Sequence, residues 1–346
     1  EWCADRDPNA PCRVWYCCGP QYRGGCRSGW CFESRPEGNE ETPSYVEFIT
    51  GEGGVIDTWL RRGAAGFRLD VADELPDEFI EKVRAAVKRV SPEKFLLGEV
   101  WEDATTKFGF NKRRTYLLGK GLDSVMNYPF KNAVLDFVKG KPAEQAMTEI
   151  LTICEHYPAP AMDTALNFLS THDTERALTV IADEPANGRG REWQSGRCVT
   201  GDAYEEGLLR LRMAYAIIYT LPGVPCLYYG DEIAMQGYRD PFNRAFFRWD
   251  AHEQRLRPVL AQLAQLRHTC EAFRTGQLRV LRAEDGILHY QRVGKVETAE
   301  IIVNRTEHII VETLASGKST EVNPMGFTIV VEEVGHNPNH SYYDYV

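Results

Sequence analysis

Short apolar runs alternate with helical patterns through the middle of the chain. The run GFRLD at residues 66–70 is followed by PDEFIEKVRAAVKRV at residues 76–90. Apolar residues recur along the second stretch at three- and four-residue steps, which places them on one face of a helix. They are Phe79, Ile80, Val83, Val87 and Val90. A strand followed by an amphipathic helix is typical of a parallel sheet covered by helices.

Four further apolar runs continue this alternation and predict four more strands. They are KFLLGEV (94–100), LDSVMNY (122–128), ALNFLST (165–171) and VPCLYYG (224–230). The apolar stretch at 213–230 is broken by prolines and glycines, so it predicts a buried helix and strand, and no membrane span.

The pattern changes near residue 274. A stripe of leucines predicts a helix over 251–273: Leu256, Leu260, Leu263 and Leu266. Beyond it, GILHYQRV, AEIIVNRT, HIIVETL and GFTIVVEE alternate with turn residues, which predicts a small antiparallel domain. The last dozen residues, GHNPNHSYYDYV, predict a loose tail. This change of pattern separates residues 43–273 from residues 274–346, and residues 1–42 precede both.

Charge and cysteine content narrow the function classes. The chain has 50 acidic and 40 basic residues, a formal net charge of −10, which argues against nucleic acid or an anionic membrane as a partner. No secretory signal is visible, so a cytoplasmic location is expected. Six of the ten cysteines lie within residues 3–31, but zinc-type spacing is missing. A disulfide cluster and a zinc site are the functional interpretations; we expect no metal site and interpret these cysteines as scatter without designed chemistry.

Polar residues stand at the ends of three predicted strands. Asp70 ends the first, Glu99 the second, and the pair His172–Asp173 follows a later one. The carboxyl ends of parallel strands meet at one edge, where loops carry chemistry. Arg68 lies two residues before Asp70 and so shares its face. These side chains form a candidate constellation of three carboxylates.

Two carboxylates on adjacent strands suit retaining cleavage of a glycosidic bond. Strands lie about 4.8 Å apart, and retaining enzymes hold their two carboxyl groups about 5 Å apart. Arg68 would keep Asp70 ionised as nucleophile, while Glu99 would donate a proton from apolar or like-charged surroundings such as Trp101 and Asp173. The alternatives are a structural ion pair, a solvated strand-end carboxylate, or a metal held by Asp70, Glu99 and His172.

The segments GFRLDVADE, GEVWED and FLSTHDTER, in that order, closely resemble the three consecutive catalytic segments of the α-amylase family of glycoside hydrolases. The run GDEIAMQGYRDPFNR at 230–244 resembles the cyclomaltodextrinase, maltogenic amylase and neopullulanase branch. The resemblance extends from about residue 29 to the end. It implies an α/β fold, a partial (β/α)8 TIM barrel with strands resembling four to eight, followed by a C-terminal antiparallel β-sandwich domain.

The same resemblance implies roles for single residues in a retaining hydrolase of α-glucosidic bonds in maltooligosaccharides, cyclodextrins or pullulan. Asp70 would be the nucleophile, Glu99 the general acid and base, and Asp173 the group that stabilises the transition state. Arg68 and His172 would support the nucleophile and the sugar at the cleavage point. Other substrate contacts would come from Asp240, Arg244 and Trp101, although the first two could form only a surface ion pair and Trp101 could simply pack.

The chain also departs from the family pattern. The first three barrel strands, with their asparagine–histidine pair, and an N-terminal β-domain that mediates dimers have no counterpart, so the sequence is interpreted as N-terminally truncated. Residues 1–42 resemble a remnant of the inserted loop domain: Phe32, Pro36 and Asn39 match, whereas Gly29, Cys31 and Arg35 do not.

These departures limit what is expected of the chain. An open barrel leaves exposed strand edges, so we expect poor stability and little activity from the chain alone. No oligomer is expected. No cofactor is assigned, since the family's calcium ligands would be largely absent. Within the family the alternative is a transglycosylase or a hydrolase of short α-glucosides; outside it, a non-catalytic carbohydrate-binding relative.

Overall fold

The computed structural model describes residues 7, 9–10, 12–19, 21, 26–27 and 37–334, and the backbone of residues 341–345. The chain divides into two compact units. The first unit consists of Glu1–Val100 and Ala104–Val125, and the second of Trp101–Asp103 and Met126–Val346.

The first unit contains a parallel three-stranded sheet with helices. Its helices are α1 (Pro43–Thr50), α2 (Val55–Arg61) and α3 (Asp77–Val90). Its strands are β1 (Gly66–Leu69), β2 (Phe95–Gly98), β3 (Phe108–Gly109), β4 (Lys112–Arg113) and β5 (Ser124–Val125). Strands β1, β2 and β5 pair in that order, and β3 and β4 form a separate antiparallel pair.

Helix α3 confirms the amphipathic pattern predicted for residues 76–90. Phe79, Ile80, Val83 and Val87 are buried on its inner face, as the three- and four-residue spacing requires. Pro76 immediately precedes the helix, where its missing N–H costs nothing. The strands on either side of α3 end before the polar residues that follow them, so Asp70 and Glu99 lie just beyond β1 and β2.

The second unit begins with helices around two short parallel strands. Its helices up to residue 220 are α4 (Tyr128–Lys139), α5 (Ala143–His156), α6 (Ala159–Asp163), α7 (Ala177–Ala182), α8 (Arg191–Ser195) and α9 (Gly201–Thr220). Strands β6 (Leu166–Asn167) and β7 (Val224–Pro225) pair in parallel, and Met126 forms a bridge with Leu166. Every one of the five predicted strand runs therefore contains a strand, although a shorter one.

The helix predicted for 251–273 is interrupted. It forms α10 (Leu256–Thr269) and α11 (Ala272–Thr275), because Cys270 adopts an extended backbone that ends the first helix. The predicted stripe of leucines is buried along α10.

The region after α11 is antiparallel, as predicted. Its strands are β8 (Gln277–Glu284), β9 (Ile287–Val293), β10 (Glu297–Asn304), β11 (Ile310–Thr313), β12 (Ser319–Val322), β13 (Gly326–Glu333) and β14 (Ser341–Tyr345). Five strands form one sheet in the order β14-β13-β10-β9-β8, and β11 and β12 form a hairpin. An apolar cluster joins the two layers: Ile287, Ile302, Leu314, Val322 and Val330.

The prediction of a loose C-terminal tail is wrong for residues 341–345. Their backbone forms β14, which pairs antiparallel with β13 from Phe327 to Val331. Without this strand, β13 would present a row of unpaired backbone groups at the edge of the sheet. The sequence SYYDY is rich in tyrosine, a residue favoured in strands, and this signal was outweighed by the polar residues before it.

One N-terminal cysteine pair contradicts the expectation of scatter. Cys18 and Cys26 form a disulfide, because an antiparallel bridge places these two residues directly opposite each other. Cys12 and Cys17 are free thiols. The matches and mismatches assigned to Gly29, Cys31, Phe32, Arg35 and Pro36 lie outside the described residues, as does Cys3.

Within the described residues, no helix combines the length and the apolar character that crossing a bilayer requires.

A buried polar cluster connects the two layers of the C-terminal region. His289 of β9 lies between two glutamates, with Nε2 2.6 Å from Glu300 Oε1 and Nδ1 3.3 Å from Glu312 Oε2. Gln291 and the backbone N–H of Ala315 also donate to Glu300. Arg282 forms an ion pair with Glu312 from the side of β8. Burial raises the pKa of Glu300, but these hydrogen bonds outweigh it and leave the pKa below its ordinary value.

We expect this cluster to make stability depend on pH. A carboxyl whose pKa is lowered by folding stabilises the protein above its unfolded pKa, about 4.3, and this contribution is lost as the pH falls through the folded value. Glu300→Gln should therefore lower the unfolding free energy by about 1–3 kcal/mol at pH 7. Thermal melts of both proteins between pH 7 and pH 3 should show this gap narrowing below about pH 4. A gap that stays constant would contradict the assignment, and the exposed Glu307→Gln serves as control.

Candidate active site

Two acidic side chains follow neighbouring strands in the first unit. Strands β1 and β2 are parallel and pair Leu69 with Gly98, so Asp70 and Glu99 take the next position on each. The backbone continues the pairing, because the N–H of Glu99 donates to the carbonyl of Leu69 at 3.0 Å. Asp70 and Glu99 therefore leave the same end of adjacent strands, as the sequence predicts.

One guanidinium contacts both carboxylates. Arg68 forms an ion pair with Asp70 Oδ1 through one terminal nitrogen, and its other terminal nitrogen lies 3.0 Å from Glu99 Oε1. The guanidinium is planar and presents these two nitrogens side by side, so the carboxylates it binds are neighbours. The predicted contact of Arg68 with Asp70 is present, whereas its contact with Glu99 was not predicted.

The two carboxylates differ strongly in exposure. The Asp70 side chain is 71% exposed, whereas that of Glu99 is 3% exposed. The second oxygen of Glu99 accepts a hydrogen bond from the backbone N–H of Val71 at 2.9 Å. The prediction of apolar or like-charged surroundings for Glu99 is wrong, because the Arg68 guanidinium contacts one of its oxygens and the backbone N–H of Val71 donates to the other. The proposed neighbours Trp101 and Asp173 belong to the second unit.

The turn after Asp70 is unusual. Val71 has φ 41° and ψ 47°, in the left-handed region that β-branched residues rarely adopt. Such a conformation costs on the order of 1–3 kcal/mol and persists where the surroundings fix it. Here it directs the Val71 N–H to Glu99 and leads into a short 3₁₀ helix, Ala72–Glu74. No residue preference of valine could have predicted it.

Four predicted residues lie together in the second unit. His172 Nε2 lies 2.9 Å from Asp173 Oδ2, and Arg244 binds Asp173 Oδ1 at 3.1 Å. Arg244 also donates to the carbonyl of His172 at 2.9 Å and lies 3.3 Å from Asp240 Oδ1. The surface ion pair weighed for Asp240 and Arg244 is therefore present, and Arg244 additionally connects it to Asp173.

Sequence reasoning missed Asn243. Its side chain is fully buried, and its Nδ2 lies 2.7 Å from the carbonyl of His172 and 2.8 Å from that of Thr174. Asparagine is common in loops, so its presence between Phe242 and Arg244 gives no signal of such a contact.

Trp101 packs, the role weighed as the alternative to sugar stacking. Its ring stacks on Tyr128 with centroids 4.3 Å apart and planes 13° apart. Tyr128 is buried, whereas 42% of Trp101 remains exposed. Contact between this exposed part and a sugar remains a prediction.

The structure thus groups Arg68, Asp70 and Glu99 in the first unit and the four residues around Asp173 in the second. Among the residues that the structure describes, no group of three or more His, Cys, Asp or Glu side chains is arranged to hold a metal ion. The alternative of a metal held by Asp70, Glu99 and His172 therefore gains no support from the described residues.

Comparison with known proteins decides the family. The family model described as alpha amylase, catalytic domain, matches residues 32–275, well over half of the chain. The chain belongs to the α-amylase family. This agrees with the resemblance noted in the three strand-end segments.

Two curated relatives of this α-amylase family chain show how much of a protein it represents. It is 31% identical over 320 residues to an amylopullulanase of Thermoanaerobacter thermohydrosulfuricus, covering 84% of this chain and 20% of that protein. It is 33% identical over 259 residues to a cyclomaltodextrinase of Geobacillus thermopakistaniensis, covering 73% and 39%. The chain therefore spans well under half the length of either relative.

A solved structure matches the fold of this α-amylase family chain. A cyclic alpha-maltosyl-(1→6)-maltose hydrolase from Arthrobacter globiformis superimposes with a TM-score of 0.80 at 22% identity, covering 96% of this chain and 70% of that one. Catalytic domains of the family are TIM barrels, so the predicted fold class is confirmed: part of a (β/α)8 barrel followed by an antiparallel β-domain.

Proposed function

We propose that this chain carries the catalytic centre of a retaining hydrolase that cleaves α-glucosidic bonds in maltooligosaccharides, cyclodextrins or pullulan. The observation that carries the proposal is the single guanidinium of Arg68 between Asp70 and Glu99. Residues at matched positions on adjacent strands are about 4.8 Å apart, close to the separation of about 5–5.5 Å that retaining glycosidases use.

Exposure distinguishes the two carboxylates. The Asp70 side chain is largely exposed and open to an approaching sugar, whereas that of Glu99 is buried. Asp70 would attack the anomeric carbon, while Glu99 protonates the leaving oxygen. The bond to the leaving sugar breaks, and a covalent glycosyl-enzyme forms on Asp70. Glu99 would then take a proton from water as the water oxygen attacks the anomeric carbon; the bond to Asp70 breaks, and the sugar leaves with its original configuration.

Asp173 would act on the sugar hydroxyls. One of its oxygens faces His172 and the other Arg244, so its carboxylate is held from two sides. Hydrogen bonds to the sugar hydroxyls that strengthen in the transition state contribute several kcal/mol in such enzymes. Arg244 and Asp240 would contact sugar units further from the cleaved bond.

The cytoplasmic location expected from the sequence stays a prediction. The Cys18–Cys26 disulfide argues against it, because structural disulfides persist mainly in oxidising compartments.

Product stereochemistry tests the proposal. The chain is incubated with a maltooligosaccharide, or with an aryl α-maltoside whose good leaving group makes slow turnover visible, and ¹H NMR follows the anomeric protons. Because little activity is expected of the chain alone, turnover should be slow, with the α-anomer appearing first and the β-anomer only later by mutarotation. First release of the β-anomer, or binding of the oligosaccharide without any product, would refute the proposed function. The second of these outcomes is the one expected of a non-catalytic binding relative.

A further inference from the structure

We propose that Asn243 is a positioning residue for the turn that carries His172 and Asp173. This proposal deepens the proposed function. Its effect on kcat rests on that function, whereas its effect on the position of His172 does not. Asn243 lies in the short 3₁₀ helix Phe242–Arg244, 69 residues or more along the chain from this turn.

The amide of Asn243 uses both of its N–H groups on this turn. Nδ2 donates to the carbonyl of His172 at 2.7 Å and to that of Thr174 at 2.8 Å, and lies 3.4 Å from the carbonyl of Thr171. Three carbonyl oxygens around one end of an amide require the NH₂ group there, which fixes its orientation. Asn243 therefore holds the backbone on both sides of Asp173.

The two ends of the Asn243 amide differ in their hydrogen bonds. Asn243 Oδ1 is buried and has no hydrogen-bond partner among the described residues. A buried acceptor without a partner costs about 1–3 kcal/mol. An asparagine that served stability alone would be expected to use both ends. The donors to the turn thus account for the side chain better than packing does.

Asn243 and Arg244 share one contact with the turn and differ in the others. Both donate to the carbonyl of His172, but Arg244 also binds the Asp173 carboxylate, whereas Asn243 also donates to the carbonyl of Thr174. The hydrogen bonds of the Asn243 amide all go to backbone carbonyls of the turn.

Within the turn, the Thr171 hydroxyl accepts from the N–H of Asp173, and the Thr171 N–H donates to the Thr174 hydroxyl. Loss of the Asn243 donors therefore removes its bond to the Thr174 carbonyl and one of the two bonds to the His172 carbonyl, which loosens the backbone that sets the direction of His172 and Asp173.

The test compares Asn243→Asp with a matched variant, Asn304→Asp. Asn304 is also fully buried, and its Nδ2 donates to three backbone carbonyls: those of His308, Val322 and Asn323. It lies at the end of β10 in the C-terminal sheet. The two substitutions remove the same kind of donor from the same kind of contact, and both should lower the melting temperature.

The deciding readout is the imidazole NMR spectrum of the chain labelled at histidine, with the His172 signals assigned from a His172→Gln variant. It requires no turnover. We expect Asn243→Asp to shift or broaden the His172 signals while Asn304→Asp leaves them in place. Unchanged His172 signals in folded Asn243→Asp, or equal changes in both variants, would overturn the proposal.

Kinetics add a second expectation. Misplacing a catalytic group by about 1 Å can cost about 10²-fold in rate. When both variants are assayed below their melting temperatures, kcat of Asn243→Asp should therefore be about 10²-fold lower than that of wild type. The kcat of Asn304→Asp should stay within about twofold of wild type. Equal losses in the two variants would overturn the positioning role. If the unaltered chain shows no turnover, the proposed function fails, and the His172 spectrum alone supports or refutes the role of Asn243.

Discussion

Asp70→Asn should abolish hydrolysis almost completely and leave the fold intact. Removal of a covalent nucleophile costs on the order of 10⁴-fold or more in kcat. The Asp70 side chain is 71% exposed, and an exposed ion pair contributes only about 0–1 kcal/mol to stability. Initial rates on an aryl α-maltoside, with circular dichroism to verify folding, measure both effects.

Asp73→Asn is the matched control for this substitution. Asp73 lies three residues further along the same segment and forms an ion pair with Lys107 at 3.2 Å. The same chemical change there should leave the rate within a few-fold of wild type. If Asp70→Asn stayed within about tenfold of wild type, less than an ordinary catalytic contribution, Asp70 would not be the nucleophile.

Glu99→Gln should slow hydrolysis in a way that depends on the leaving group. A general acid contributes about 10²–10⁴-fold, so natural maltooligosaccharides should lose that much. An aryl group that leaves without protonation should lose much less in the first step. Glutamine also places an NH₂ group against Arg68 or the Val71 N–H, so about 1–3 kcal/mol of stability should be lost. Assays therefore run below the melting temperature of the variant.

Reaction with azide distinguishes the roles of Asp70 and Glu99, because azide attacks the anomeric carbon without the help of a base. In Glu99→Gln it should attack the glycosyl-enzyme and give the α-glycosyl azide, with the configuration of the substrate. In Asp70→Asn it should replace the missing nucleophile and give the β-glycosyl azide. Identification of the two products by NMR checks the assignment. Equal losses for all leaving groups in Glu99→Gln, with no azide product, would contradict its role as acid and base.

The residues at the strand ends were predictable because two simple rules agree there. Alternation along a strand places Arg68 and Asp70 on one face, and parallel pairing brings Asp70 and Glu99 to the same edge. Neither rule needs knowledge of distant parts of the chain. For that reason the five strand runs and helix α3 were also predictable, although the strands proved shorter than the apolar runs.

Features set by contacts between distant segments were not predictable. The left-handed turn at Val71 opposes the preference of a β-branched residue, and only its contact with Glu99 makes sense of it. Asn243 meets the turn at His172 across a long stretch of sequence. The Cys18–Cys26 disulfide depends on a bridge between segments with no periodic pattern, and β14 depends on the open edge of β13.

Trapping the covalent intermediate tests the nucleophile directly. A 5-fluoro-α-glycosyl fluoride has a leaving group that departs readily, while its ring fluorine slows the release of the sugar from the enzyme. After incubation of the folded chain with this reagent, intact mass spectrometry detects the adduct and peptide mapping locates it. We predict a single added glycosyl group on the peptide that contains Asp70, and none in Asp70→Asn. An adduct on another carboxylate, or a folded chain that acquires none, would contradict the account.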